Sequence, residues 1–579
     1  MNSWQQKEAA QATLAKEVGY IRKPHTDRLR VALAFPNTYY VGMSNLGFQT
    51  VYHLFNAHED VVCERICLPA KQQLKEQLAS RTPLITLESQ SLARDFDVIA
   101  FSVSFEWDYT NILTMLRLAG VPLRAADRTV RDPLVVIGGA VTFVNPEPLA
   151  LFADVIAAGE GEELVPALVS SLRESDGRKA LLMSLAQKRG FYVPSFYDVE
   201  YGVDGTIDRF VPQNGAPAAV KKAAVPTTEA LDPPCTRIFT PDTEFGSRFL
   251  VEVVRGCANL CRFCWAGYNY LPVRAFPADR ILERAREARA HSKHAGLVSI
   301  ALCDHPEIDR ILTGLADMGY SISPASLRLD DLTETIVRRL RESGEKTLTI
   351  APETGSDRLR RVINKTVTND EILDRAELIF ASGIENLKLY YMIGLPTETD
   401  ADLVAIRDLT LQMREIMLKY ATSRGHVGRI IASVNPLVPK PSTAYQWLPM
   451  EDPALIDGKV RRLRELTADI DNVFFNIKSE RHSFYQALLS LGDRRVAPAI
   501  EAAEANGGDW RRAVADTGVD AGFYVFRDRS HDAVLPWSII DGGMKQAFFR
   551  NELDKSLREE WTLPPKRAAE NANLLVIDR

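Results

Sequence analysis

Residues 249–270 read FLVEVVRGCANLCRFCWAGYNY. The apolar run 249–254 has the length and character of a buried strand. Arg255-Gly256 makes a tight turn, and Cys257, Cys261 and Cys264 follow as a C-x3-C-x2-C array. Thiolates at these spacings can surround one [4Fe–4S] cube, one iron each. With no fourth cysteine nearby, one iron keeps an open coordination position. That is a defect in an electron carrier and a requirement in a cluster that binds a substrate. Zinc is the alternative, but structural zinc takes four ligands, commonly from paired C-x2-C units. Residues 249–280 hold three cysteines and no histidine.

The array, with Phe263 just before its last cysteine and a strand before its first, resembles the radical S-adenosylmethionine (radical SAM) superfamily. The resemblance implies that the open iron chelates the amino and carboxylate groups of SAM, with Phe263 part of the cofactor site. Downstream, apolar runs at 297–302, 322–329, 347–351, 386–393 and 429–434 alternate with helical patterns at 278–291, 333–343, 370–382 and 399–417. With the run 249–254 this makes six strands, predicting a partial (β/α)6 barrel with its chemistry at the strand carboxyl ends.

The loops on that rim supply candidate SAM-holding residues. Asp304 and Glu307 of CDHPEID suit an ammonium group, although a polar loop cap is an equal reading. Ser326 and Arg328 of SLRLDD share a face, and Arg suits a carboxylate. Glu353, Gly355 and Ser356 come from APETGSDR, and Lys388, Gly394 and Glu398 from KLYYMIGLPTET. These motifs, in this order on a cysteine-started barrel, resemble radical SAM barrels of the cobalamin-binding and methylthiotransferase kinds.

Upstream, buried-strand runs at 29–35, 61–66, 97–103, 133–137 and 154–158 alternate with helical stretches such as 109–119. This predicts a Rossmann-like, doubly wound parallel sheet with its ligand site at the strand carboxyl ends. Ser102, Ser104, Gly138 and Gly139 lie at such ends, where small residues let backbone approach a large flat ligand. A Gly-Gly after a strand is weak evidence, because a tight turn needs it too. LAFPNTYYVGMSNLG, DVIAFSVSFEWDYTNIL, PLVVIGGAVTFVNPEPL and ADVIAAGEGEE, in this order, look like the cobalamin-binding domain of cobalamin-dependent radical SAM proteins. The likeness runs over about residues 28–450 and implies a corrinoid over loops 102–105 and 138–143. No D-x-H-x-x-G motif is present, and neither His53 nor His58 has that spacing. A cobalamin would therefore sit with no protein histidine on its cobalt; the alternative is a domain that has kept the fold and lost the cofactor.

The expected organisation is a helical extension at 1–27, the cobalamin-binding-like domain at 28–185, a Pro-, Ala- and Gly-rich connector at 186–244, the barrel at 245–445 and a mainly helical cap at 446–579. The resemblance implies reductive cleavage of SAM to a 5′-deoxyadenosyl radical and cobalamin-dependent methylation of an unactivated carbon. Alternatives are a radical rearrangement, cyclisation or coupling without catalytic cobalamin, and a non-enzymatic iron–sulfur sensor or scaffold. It further implies a small-molecule or unknown substrate and a low-potential electron donor of the flavodoxin or ferredoxin type. A net charge of −6 offers no field for nucleic acid, and no apolar run reaches the length of a membrane span. The polar start and the free, scattered Cys63, Cys67, Cys235 and Cys303 fit a reducing cytoplasm.

Overall fold

The computed structural model describes residues 3–562 except 325–326, 330–331 and 469, with only the backbone at 423–424. Its first sheet has the strand order Val61–Cys67, Leu29–Phe35, Val98–Ser102, Leu134–Gly138, Val155–Ala157, Phe191–Tyr192. The first five strands are parallel and the last is antiparallel. Runs such as LRVALAF are apolar throughout because helices cover both faces of the sheet. Strand order reverses between Leu29–Phe35 and Val98–Ser102, so the ligand crevice of such a sheet belongs at their carboxyl ends.

The second α/β unit is built from two sheets. Phe249–Arg255, His294–Ser299 and Ser321–Pro324 are parallel neighbours, with Arg274–Ala275 running antiparallel on the outer edge. Thr347–Glu353, Asn386–Ile393, Ile430–Pro436 and Val473–Ile477 form the other, wholly parallel sheet. Strand alternation separates the faces: Leu387, Leu389, Tyr391 and Ile393 are buried in the barrel's hydrophobic core, while Lys388, Tyr390 and Met392 face the other way.

Three details depart from the expected barrel. The second strand ends at Ser299, and Leu302–Asp304 is a short 3-10 turn on the rim, so apolar residues 300–302 belong to the loop. The third strand is Ser321–Pro324, and residues 327–328 are not strand. A seventh parallel strand, Val473–Ile477, comes from the region expected to be helical and extends the sheet at its edge.

The C-terminal helices reach further than a barrel cap. Ala497–Ala505 packs on Tyr109–Ala119 of the first domain. Arg494 pairs with Glu147 at 2.8 Å, and Arg124 pairs with Glu501 at 2.7 Å. Gln546–Leu557 packs instead on the barrel helix Asp357–Ile363. Among the described residues no helix is long and apolar enough to cross a membrane.

Candidate active site

The first barrel strand ends at Arg255 and hands the chain to Gly256, whose φ is +98°. A Cβ there would lie 2.5 Å from the Tyr270 carbonyl oxygen, so this turn needs glycine on both backbone and steric grounds. Cys257 and Cys261 are buried, Cys264 is half-buried, and all three are free thiols. The loop is held from behind. The fully buried Arg262 guanidinium donates to the carbonyls of Arg361 and Val362 and pairs with Glu552 at 3.1 Å. The Tyr268 hydroxyl donates to the Leu260 carbonyl.

Burial, with help from nearby Cys257 and Glu353, pushes the Cys264 thiol up to about 11. Cys261 is raised by burial, and Cys264 and Cys257 add to the effect. The three sulfurs therefore share a dry site in which their anions repel, a donor set suited to a positively charged iron–sulfur core. Among the described residues no three Cys, His, Asp or Glu side chains converge as around a single ion. A cube takes each sulfur on a separate iron, whereas zinc gathers its ligands on one ion.

Part of the expected rim converges on the cysteine loop. Arg328 pairs with Asp304 at 2.9 Å, and its Nη1 lies 3.3 Å from Asn259 Oδ1 and 3.9 Å from Cys257 Sγ. Glu353 closes the fourth barrel strand at a positive φ of 65°, with Lys365 at 3.4 Å. Burial raises its carboxyl, and the Lys365 ammonium opposes the rise. Lys365, which no motif marks, also lowers the Cys261 thiol.

Other expected residues serve the rim's construction. A Cβ on Gly355 would lie 2.1 Å from the Ala405 carbonyl carbon, so that glycine admits the helix Asp400–Arg424 rather than a ligand. Ser356 caps Asp357–Ile363 and donates to Asp402 Oδ1 at 2.6 Å. Glu398 is 1% exposed; it accepts from the Gly394 N–H at 2.8 Å and pairs at 2.6 Å with Lys459, which also meets Glu451. Glu398 thus fixes the positive-φ Gly394 turn. Glu307 faces outward and pairs with Arg310. Phe263 is half-buried against the core, and Lys388 sits over the Tyr390 ring on the strand face turned away from the barrel's hydrophobic core. Ser326 lies outside the described residues.

Beside the cysteine turn opens a cavity of about 480 Å³ between the first sheet and the first two barrel strands. Ser102, Ser104, Gly138 and Gly139 all line it, as do Arg255 and Gly256. Gly138 leaves room, with no neighbour nearer than 3.7 Å to an added Cβ, whereas on Gly139 a Cβ would strike the Val103 carbonyl oxygen at 2.3 Å. The cavity continues into an apolar slot among Leu33, Phe101, Val136 and Leu168. No histidine is among its lining residues. Arg255 ties its walls together, reaching Glu252 at 2.7 Å, Glu162 at 2.8 Å and Glu160 at 3.1 Å, while Arg274 holds Glu160 from the far side at 2.7 Å. Glu160 and Glu162 meet Arg255 and Arg274 only because the two domains do.

Residues 251–410 match the Radical SAM superfamily, and residues 47–194 match the N-terminal region of radical SAM proteins. "Uncharacterized protein MJ0966" of Methanocaldococcus jannaschii is 26% identical over 475 residues, covering 81% of this chain and 90% of that protein. A tRNA-2-methylthio-N(6)-dimethylallyladenosine synthase of Ruegeria pomeroyi is 26% identical over 226 residues, 34% of this chain and 48% of the synthase. Among solved structures, the methyltransferase TsrM of Kitasatospora setae matches at 13% identity and a TM-score of 0.46, over 85% of this chain and 100% of its own. The cobalamin-dependent enzyme OxsB matches at 15% identity and a TM-score of 0.43, over 66% of this chain. The chain spans about half of OxsB, 52% of its length. The two matched segments sit in order on the two α/β units described above, and the second begins on the strand that delivers the three cysteines. The chain is a member of the radical SAM superfamily of enzymes, which sets aside the sensor alternative.

Proposed function

We propose that this enzyme uses a cobalamin, seated in the interdomain cavity, to methylate an unactivated carbon of its substrate. The observation that supports it most is the cavity's course, from Gly256 beside Cys257, past Ser102, Ser104 and Gly138, into an apolar slot under the first sheet. A large flat cofactor needs a glycine-rich wall, and an apolar appendage needs such a slot. The missing histidine leaves any cobalt there without a histidine ligand from the protein.

Cys257, Cys261 and Cys264 would hold the cluster. When bound, it supplies an electron to SAM, breaking the C5′–S bond and yielding a 5′-deoxyadenosyl radical. Arg328 suits the carboxylate of SAM, and Asp304 and Glu353 suit its ammonium. Their burial, and the loop anchored by Arg262, keep the site dry and its geometry fixed. A flavodoxin- or ferredoxin-type reductant and a small-molecule substrate belong to the same reading.

The second reading, a radical rearrangement, cyclisation or coupling without corrinoid, is favoured by the same missing histidine. Anaerobic reconstitution with iron, sulfide and hydroxocobalamin, followed by gel filtration, separates them. A corrinoid spectrum that stays with the chain, together with methyl transfer, is the expected result. SAM cleavage by a chain that retains no corrinoid would overturn methylation in favour of the second reading.

A further inference from the structure

A second cavity, of about 300 Å³, lies in the C-terminal region, on the other side of the helix that follows Cys264. That volume is at the small end of ligand sites. Asn269 and Ser442 bring the barrel rim to it, Trp447, Trp537 and Phe549 give it aromatic walls, and Arg550 closes it. Its donors are unequally used. The Trp537 indole N–H donates to Gln446 Oε1 at 2.8 Å. The Trp447 indole N–H, on a side chain with 3% exposure, finds no acceptor among the described residues. Nor does Arg550 Nε, although the same guanidinium donates to the His531 carbonyl and pairs with Asp532 at 3.0 Å.

The helix Gln546–Leu557 begins on this wall with no side-chain cap, and its Phe548 N–H already donates to the Lys545 carbonyl at 3.0 Å. Buried donors are normally satisfied, and a group left open inside a pocket marks the place of a ligand acceptor. Of the acidic groups nearby, Asp532 pairs with Arg550, and Asp541 Oδ1 accepts from the Gly543 N–H at 2.9 Å. The His531 ring lies tilted against Trp447, at 56° and with ring centroids 5.0 Å apart.

We propose that this pocket binds a small molecule through a carboxylate, held by the Trp447 indole N–H and Arg550 Nε, with its apolar body against Trp537 and Phe549. The site stands apart from the cluster and the interdomain cavity, and its test needs neither.

Titration calorimetry of the full chain with phenylacetate, and with phenylacetamide as its uncharged match, reads it directly. Phenylacetate should bind, and the amide about tenfold or more weaker, as loss of a charge-assisted hydrogen bond implies. Trp447→Phe keeps an aromatic ring against His531 and deletes the indole N–H, and Arg550→Lys keeps the Asp532 pair and deletes Nε. Each should weaken phenylacetate by about tenfold and leave the amide unchanged. Absence of phenylacetate binding, equal binding of acid and amide, or wild-type affinity in the folded Arg550→Lys variant would overturn the site. With reduced cluster and SAM present, phenylacetate-stimulated 5′-deoxyadenosine formation that both variants lose assigns the carboxylate to the reacting substrate. Binding without that change assigns it to a separate effector, and either result upholds the site.

Discussion

Gly256→Ala tests the turn on which cluster assembly depends. The native φ of +98° is one that an L-residue enters at a cost of roughly 1–2 kcal/mol. The new Cβ would stand 2.5 Å from the Tyr270 carbonyl oxygen, and relieving such a contact in packed structure costs about 1–3 kcal/mol. A central value of about 3 kcal/mol disfavours the native turn by roughly a hundredfold. Because Cys257 follows directly, the variant should lose iron before it loses its fold. Iron and acid-labile sulfide per chain after anaerobic reconstitution measure the first, and calorimetric unfolding of the apo chain measures the second. Gly355→Ala is the control. Its Cβ would meet the Ala405–Ile406 backbone at 2.1 Å, so it should lower the melting temperature while a chain folded in the cold still loads iron. A Gly256→Ala chain that takes up iron and sulfide like wild type and melts at the wild-type temperature would refute the reasoning.

Alanine at Cys257, Cys261 or Cys264 should each abolish 5′-deoxyadenosine production while circular dichroism stays native; a variant that still cleaves SAM removes that cysteine from the ligand set. Burial raises the Glu398 carboxyl from 4.5 to about 6, so the folded state binds its proton more tightly than the unfolded chain does. The resulting stabilisation, about 2 kcal/mol, is present below about pH 4.5 and lost as pH rises through about 6. Glu398→Gln should flatten melting temperature against pH across that window, and an unchanged slope counts against the assignment. Lys440 reaches from the loop after the sixth barrel strand to Glu106 of the first domain, and both side chains are largely buried. Lys440→Met leaves that carboxylate unpaired and should destabilise by roughly 3 kcal/mol. Adding Glu106→Leu should restore most of the loss in calorimetry, and a double variant no better than the single would deny the pairing.

Much of the architecture was legible because it is written locally. The alternation in NLKLYYMI, the unbroken apolar runs of LRVALAF and DVIAFSV, and the C-x3-C-x2-C spacing each need only neighbouring residues to be read. The short strand VFFNI escaped notice because five residues without alternation in a helical neighbourhood carry little signal. At the rim, sequence order located the loops correctly but not the direction of their side chains. Ser356, Gly355 and Glu398 stand in the expected motifs, yet a helix cap, a close helix approach and a buried Lys459 pair occupy them.

What the sequence determined by itself is the pair of α/β units and the three thiols with no fourth, since hydrophobic period and ligand spacing are properties of a short stretch. What only the tertiary structure decided is which rim groups reach those thiols, and that Arg255, Glu160, Glu162 and Glu252 close around one cavity. Such convergence depends on how two domains and a returning C-terminal region pack. Charges brought together across a domain boundary leave no periodicity in the chain that supplies them.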